Sequence, residues 1–599
     1  MAKGKNVPIK YTNREFDSIK QDLIEYAKRY YPDTYNDFSE ASFGELIFDL
    51  VSYVGDSLSF YLDYQINESF MDTAVEFANL RKHARSLGYS YAGVPTSYGV
   101  ASFFILVPSN SDGNAPDMDY SPTLKKGSVL RSSNSVTFML LEDVDFTDPK
   151  NDIVEARYDE TNGGVTHYAI KSYGQVSSGK LLLSELDISS TSFERFRRIR
   201  IGDSTISEVI SVEDSEGNRY YEVDFLSQET VLLETTNPNA KTDGVRSIMK
   251  PFVTARRFIV EQDNTGTYLQ FGFGSDDDDD SGLADPADVS LRLHARNHIT
   301  DNSFDPNKLL GTDKLGISPY GTVLKVIIKK NDSSNVNISS RSLDTIVQAS
   351  LKFTAENDLN SPKVSAVRGS LEVTNDNPIV GQSLAITSEE IKIKTKNFYA
   401  TQNRAITKQD YEAIAYSMPK KFGSLKRVNV INDPSATNRK LAMYVVSQDS
   451  DGYLSLSNDR IKANLKTWLT RYKGINDQIE IFDAKIINFG INFEVSVDTR
   501  FNKEEIINLA IKNLKDKYNN KFYIGEPIYL TDINNVLSKT RGVIDVSKVE
   551  VVNKKNGSYS TTPMQLNKIL SPDNTYYKTP KNVVMELKFP SKDIKGKAK

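Results

Sequence analysis

The chain has 599 residues, a formal net charge of −5, 26% charged side chains and no cysteine. That length predicts several domains of roughly 100 to 200 residues each, enough to bury sizeable cores without staples. The lack of cysteine excludes disulfides and thiolate chemistry and fits a reducing cytoplasm. The opening residues, MAKGKNVPIK, lack the apolar run of a secretory signal, and the greasiest stretch, VASFFILVP at 100–108, is far shorter than the ~20 residues of a membrane span. The expectation is a soluble protein. Its charge is uneven: residues 320–599 hold 43 Lys and Arg against 29 Asp and Glu, while residues 1–319 hold 31 against 50. Opposite potentials on separate domains favour docking to complementary protein surfaces or to copies of the same chain.

Residues 12–88 read as helices. Thr12 with Glu15, Ser42 with Glu45 and Thr73 with Glu76 have capping-box spacing, in which hydroxyl and carboxylate each satisfy a free amide at a helix start. After the first, Phe16, Ile19, Leu23, Tyr26 and Tyr30 recur at steps of three and four, a heptad-like seam that ends before Pro32. After the second, Phe43, Leu46, Ile47, Leu50, Val51, Val54, Leu58, Tyr61 and Leu62 form a wider apolar face. Residues 36–76 contain nine acids and no Lys or Arg. An isolated helix as short as the first is marginal, so either the chain's own second helix or a bundle with a partner must cover the seam. After the third box, Ala74, Phe77, Leu80, Ala84 and Leu87 make a stripe, and Gly88 stands where a left-handed residue ends a helix.

From about residue 98 the period changes to two. Short segments such as VASFFILV, VTFMLLEDVDF and TVLLET, separated by Asn-Gly, Glu-Gly and Pro signals, predict an antiparallel β domain, and ISVEDSEGNRYYEVDF reads as a hairpin. A second β stretch includes VSLRLHA and GTVLKVIIKK, and the polar stretch 331–390 has no clear period. The last 200 residues alternate strands with helices, which predicts α+β sandwiches, two helices on one side of an antiparallel sheet and the unit duplicated. The expected organisation is therefore a multidomain α+β chain: a helical bundle-forming region at 1–97, a β-rich middle domain at 98–300, a mixed linking region at 301–400, C-terminal α+β domains at 401–590 and a flexible tail at 591–599.

Candidate chemistry is sparse. Glu68 and Asp72 lie one helical turn apart, but an acid–base pair needs a cleft that separates the two pKa values, and nothing nearby predicts one. His294 and His298 have metal-ligand spacing on a helix, yet Val289, Leu291 and Leu293 alternate as in a strand, which would set the two imidazoles ~13 Å apart. No Glu follows His294 as in zinc proteases, and His83 and His167 stand alone. In SDDDDDSGLADPAD, Asp277, Asp279, Ser281, Gly282 and Asp288 fall on calcium-loop positions. Glycine-rich flanks and Pro286 favour a solvated loop instead, leaving open whether Asp276–Asp280 binds calcium. There is no complete phosphate cradle after Gly272 and Gly274, no Gly-x-Ser-x-Gly elbow, and no nucleic-acid signature among the dispersed basic residues. The expectation is no catalytic residue, no metal, no cofactor and no nucleic-acid or membrane partner.

Two blocks carry a resemblance. Asn67, Glu68, Phe70, Thr73 and Ala74, followed by Leu87, Gly88 and Tyr89, form one; Asn403, Arg404, Ala405, Thr407, Asp410, Tyr411, Ala415 and Pro419 in NRAITKQDYEAIAYSMP form the other, with ARRFIVEQDNTGTYLQFGFG at 255–274 as a weaker third. In order and spacing the chain resembles the baseplate J-like family of contractile phage tails, and within it the inner baseplate wedge subunits of T-even-like bacteriophages. It departs from the family where the Asp run replaces a short Gly-Asp-Gly turn.

The resemblance implies a structural virion protein of the tail baseplate, assembled in the host cytoplasm. Two copies would bundle their N-terminal helices with a different wedge protein, and C-terminal domains would pair between wedges. The ring so closed around the tail hub would relay the signal for sheath contraction. Bundle contacts are expected at Phe16, Ile19, Leu23, Tyr26 and Tyr30, and ring contacts at Ile506, Leu509, Leu514, Ile533 and Leu537 on the helices at 503–518 and 531–540. Arg404, Asp410 and Tyr411 are expected to be structural, with Thr407 capping the helix that carries Asp410 in its first turn. The rival classes are a tail-associated polysaccharide hydrolase, which needs paired carboxylates in an aromatic cleft, and a receptor-binding tail protein, which needs a repeat-rich β shaft.

Overall fold

A computed structural model describes residues 15–33, 39, 42–89, 95–158, 164–238, 247–262, 265–274, 315–332, 335–383, 387–432, 440–518, 522–562 and 564–599. Two units divide the chain, one of Met1–Tyr89 with Ile386–Lys396 and one of Ser90–Ala385 with Asn397–Lys599. The mixed α+β multidomain class is the expected one.

In the first unit, α1 (Phe16–Tyr30) packs on α2 (Phe43–Ser69), and α3 (Phe77–Ser86) follows. Ser42 caps α2, its hydroxyl oxygen accepting from the Glu45 amide at 3.1 Å, but the other half of the expected box is not made: the Ser42 amide donates to the Ser39 carbonyl and the Glu45 carboxylate pairs with Lys20. At α1, Glu15 holds the cap position without a side-chain cap bond, and Thr12 lies outside the described residues. The two helices meet where α2 buries Glu45 and Ser52. Lys20 Nζ lies 2.7 Å from the Glu45 carboxylate and 2.6 Å from that of Asp49. A Cβ on Gly55 would stand 3.2 Å from Ile19 Cδ1, so glycine permits the close approach.

The second unit is built around four apolar cores. Inward residues of Tyr98–Pro108, among them Ala101, Phe103, Ile105 and Val107, join Ile170 and Val176 of Val165–Ser178 in the first. The alternation predicted from residue 98 therefore holds. The sheet runs in the order 343–348, 129–132, 137–140, 165–178, 98–108, 372–374. Strand Leu343–Gln348 and helix Ser361–Gly369 come from the stretch whose period was illegible, so the expected boundary at residue 300 does not separate bodies. A second sheet is inserted between those parts of the first: its strand Lys180–Asp187 pairs antiparallel with Val323–Lys330 along their whole length. The predicted hairpin lies in it, with Val212 opposite Tyr220 and Glu213 opposite Arg219 around Gly217 at φ +85°.

The remaining two cores are the predicted α+β bodies. One places helices Lys408–Tyr416 and Asp459–Thr470 on strands Arg427–Asn432, Lys440–Gln448 and Gln478–Asp483. The other is organised by Lys485–Val497, which pairs with Val543–Asn553, Val583–Glu586 and Ile594–Ala598 beneath helices Lys503–Tyr518 and Leu530–Ser538. The tail corrects the sequence reading. Instead of a flexible end, Ile594–Ala598 is a parallel strand on Lys485–Val497, with Ile594 buried and Asp593 accepting from the Tyr559 hydroxyl at 2.7 Å. Pairing to a central strand and one buried carboxylate outweigh the polar composition of KDIKGKAK.

The fold predicts unequal costs on the two C-terminal helices. Leu537 is fully buried, so Leu537→Ala should destabilise the C-terminal body by about 2–5 kcal/mol. Half-exposed Leu509, replaced by Ala, should cost under about 1 kcal/mol. Urea midpoints of the two variants check both.

Candidate functional site

The most unusual surface of the first unit is α2. Phe43, Ile47, Leu50, Val54 and Tyr61 recur at heptad-like intervals, and all are exposed, with Leu46, Leu58 and Leu62 flanking them. Leu50, for example, keeps 63% of its surface and Phe43 77%. Helix α1 covers the opposite face, where Glu45 and Ser52 are buried. Of the predicted bundle residues, Phe16, Ile19 and Leu23 are half-buried while Tyr26 and Tyr30 are exposed, their rings 4.7 Å apart.

The first resemblance block forms the joint between α2 and α3. Glu68 is buried on the last turn of α2, and its Oε1 accepts from the amides of Val75 at 2.8 Å and Glu76 at 3.1 Å, while Oε2 accepts from Asn79 Nδ2 at 2.9 Å. These bonds, the Asn79 amide first and the Val75 N–H next, hold its carboxyl below the usual carboxylate range. His83 Nε2 lies 2.8 Å from the Glu68 carbonyl oxygen. The expected Thr73–Glu76 capping box is corrected here. Helix α3 starts at Phe77 with Glu76 at its cap position, and the Thr73 hydroxyl instead donates back to the Asn67 carbonyl at 2.7 Å. Glu68, supplied by the preceding helix, does the capping. Ala74, Leu80 and Ala84 are buried, Phe70 is exposed, and Gly88 ends α3 at φ +84°. Asp72 is engaged as well: its carbonyl accepts from Lys392 Nζ at 2.9 Å and its carboxylate pairs with Lys396, both from the returning segment of this unit. A carboxylate as fully bonded as Glu68 is stabilised in its charged form and is not poised to deliver a proton.

The second block is a cap of the predicted kind. The Asp410 amide donates to the Thr407 hydroxyl at 3.2 Å and the Thr407 amide to Asp410 Oδ2 at 2.8 Å, a reciprocal box at the start of Lys408–Tyr416. Asn403 and Gln402 sit at φ +58° and +49° in the turn before it. Tyr411 is buried and donates to Asp477 Oδ2 at 2.6 Å; burial first, then Asp477, pushes its phenol upward. Arg404 is exposed.

The ring-contact expectation is corrected. Ile506, Leu514, Ile533 and Leu537 are buried in the chain's own C-terminal core, where they hold the two helices on their sheet, and only Leu509 is exposed. Their amphipathic stripe faces the chain's own sheet. Among the described residues no group of three or more His, Cys, Asp or Glu is placed to hold a metal. His294, His298 and the run Asp276–Asp280 lie outside those residues. His167 is on strand Val165–Ser178, where burial, then Arg157, lowers its pKa. No helix among the described residues is long and apolar enough to cross a membrane.

Comparison with known proteins follows the same geography. Residues 15–86, which hold all three helices and the Glu68 joint, match the family described as bacteriophage baseplate protein, N-terminal domain. No curated protein matches the chain. Among solved structures it is similar to a chain of the anti-feeding prophage baseplate, at 11% identity and TM-score 0.31, over 96% of this chain and 98% of that one. It is also similar to a chain of the type VI secretion TssK-TssF-TssG baseplate subcomplex, at 9% identity and TM-score 0.25, over 72% of this chain and 96% of that one. Likeness at these scores is too distant to carry an argument. The likeness to a phage baseplate domain thus rests on residues 15–86.

The joint makes a pH prediction. Because the folded pKa of Glu68 is depressed, its contribution is complete above the ordinary carboxylate value of about 4.3 and is lost as pH falls through the folded value. Amide exchange at Val75 and Glu76, corrected for intrinsic rates, should be slow at neutral pH and accelerate on acidification. Glu68→Ala should accelerate it roughly tenfold at pH 7, the scale of one lost cap, with Glu68→Gln between the two.

Proposed function

We propose that the chain is a non-enzymatic structural subunit of a contractile-tail baseplate, a wedge protein of the baseplate J-like family. In this reading α1 and α2 bundle with a second copy and with a different wedge protein. The C-terminal bodies make ring contacts around the tail hub, and the ring relays the signal for sheath contraction by rigid-body motion about its interfaces. The observation that carries the reading is the exposed apolar stripe of α2. A strict two-helix seam is narrow, whereas the exposed residues of α2 spread well to both sides of the Phe43–Tyr61 row, as a helix with more than one neighbour requires. Covering six of these side chains would contribute on the order of 10 kcal/mol before the cost of association. The match of residues 15–86 to a baseplate N-terminal family supports the coarser part of this reading, a baseplate protein.

Co-expression with candidate wedge neighbours, followed by mass measurement of the purified complex, tests it. Leu50→Asp lies on the exposed stripe, so the free chain should melt within about 0.5 kcal/mol of wild type while the hetero-complex is lost. Leu23→Asp, at a half-buried position beside α2, should also abolish assembly but with lower stability of the N-terminal unit. Intact assembly of the Leu50→Asp chain would refute the bundle.

A further inference from the structure

The inserted β body of the second unit is attached to the rest at two adjacent points. The chain enters it after Ser178 through Gly179 and leaves it at Asn331, and Lys180 and Lys330 between those points are direct cross-strand partners. Gly179 has φ +100°, and a Cβ there would stand 3.0 Å from Asn331 Oδ1 and 3.1 Å from the Lys330 carbonyl. A few backbone dihedrals at one place thus connect two bodies that each have an apolar core of their own. Such side-by-side crossings are what a hinge needs.

The contact that closes over this crossing is polar. Thr96, Ser97, Ser177 and Ser178 are fully buried there, and the Ser97 amide donates to Ser178 Oγ at 3.0 Å. Lys329 enters it from the inserted body with only 3% of its surface exposed, and Nζ donates to Ser177 Oγ at 2.8 Å. Its cross-strand partner is Glu208. The Tyr98 ring centre is 5.8 Å from Lys329 Nζ, and the Tyr98 hydroxyl donates to the Lys421 carbonyl at 2.7 Å. At the half-exposed rim, Lys421 Nζ pairs with Glu222 at 3.1 Å.

We propose that the β body carrying strands Lys180–Asp187, Ile206–Glu213 and Val323–Lys330 is a hinged element. It pivots at Gly179 and Asn331, is held shut at its rim by Lys421 with Glu222, and is biased toward release by the buried ammonium of Lys329. Burying a charge costs desolvation that a neutral hydroxyl and one carboxylate repay only in part, so solvating Lys329 by opening relieves it. Burial pulls the Lys329 pKa down to about 8, against the pull of Glu208, and pushes that of Glu208 up. The other charges that act on these groups are Lys421 and Glu222, and Arg460 acts on Tyr98, whose phenol burial pushes upward so that it stays neutral. A depressed lysine pKa means that the protonated form opposes closure. The closed state is therefore favoured as pH rises through about 8 and opposed below it. The inference concerns the second unit alone and does not rest on the wedge assignment.

The absence of cysteine allows two spin labels to be placed without background, at Ile210→Cys on the inserted body and Ile475→Cys on the α+β body, both exposed. Pulsed electron–electron distance measurements on the full chain should show a minor longer component at pH 7. That component should shrink several-fold at pH 9.5 and in Lys329→Met, and grow several-fold in Lys421→Glu. The double variant Glu222→Lys with Lys421→Glu should return it toward wild type. Circular dichroism identifies any variant that fails to fold, and Glu222→Gln, a mild change at the rim, then replaces Lys421→Glu. One distribution common to both pH values and every folded variant overturns the hinge. A longer component in Lys329→Met also overturns it, since the lysine would then be a tie that holds the joint together.

Discussion

Everything in the N-terminal unit follows from one imbalance: α2 has 27 residues and α1 has 15, and α2 is apolar on more of its circumference than α1 can cover. Where they do meet, the contact is narrow. Gly55 lets Ile19 approach, Ser52 fills little space, and Lys20 pairs with both Glu45 and Asp49, so the interior face of α2 is its small and polar one. The large side chains are turned outward. A helix that buries its polar face on its own neighbour and shows Leu and Phe to solvent inverts the usual order, and an exposed apolar face of that size marks a surface for another chain. That is the physical content of the baseplate reading.

The Glu68 joint explains how such a helix keeps a defined end. The outward face of α2 is exposed along its length, so its terminus would fray without local ties. The turn that follows is tied at every step. Thr73 bonds back to Asn67, Glu68 reaches forward to Val75, Glu76 and Asn79, and Lys392 and Lys396 fix Asp72. The angle between α2 and α3 is thereby set by hydrogen bonds whose partners all lie inside the unit. An interface offered to other chains benefits from that preorganisation, because less ordering remains to be done on binding.

The sequence made this architecture legible where the information was local. The Thr407–Asp410 box and Gly88 act as their spacing predicts, and Ser42 makes its half of the expected box, because a cap needs only residues within one turn. Thr73 failed for a reason of the same kind: an acid on the previous helix competes for the same amides, and spacing within α3 alone could not reveal it. An acid a few residues before an expected helix start is the signal that was available. Lys392 and Lys396, more than 300 residues from Asp72, left no signal at all. Ile506, Leu514, Ile533 and Leu537 show a deeper limit. A 3.6-residue stripe reports that one side of a helix will be covered, and the stripe is identical whether the cover is the chain's own sheet or a partner. The stripe of α2 was equally ambiguous, and its exposure in the structure shows that α1 does not cover it. Likewise KDIKGKAK has the composition of a loose end, and its strand exists because Lys485–Val497 offers an unpaired edge that nothing in those residues announces.

The second unit divides its burial differently. Its four cores are apolar, and the crossing between the first of them and the inserted β body is lined with serines, threonines and a buried lysine. An apolar side chain of similar volume in place of Lys329 would join those cores more tightly, since desolvating a charge costs more than one hydroxyl returns. A seam of short polar side chains makes hydrogen bonds that water can replace at little net cost, whereas interdigitated leucines cannot be separated without exposing them. At this crossing the strong packing lies within the two bodies and the exchangeable bonds lie between them. That distribution lets bodies move as wholes while each stays folded, and it places the freedom at Gly179 and Asn331, where the fewest dihedrals have to change.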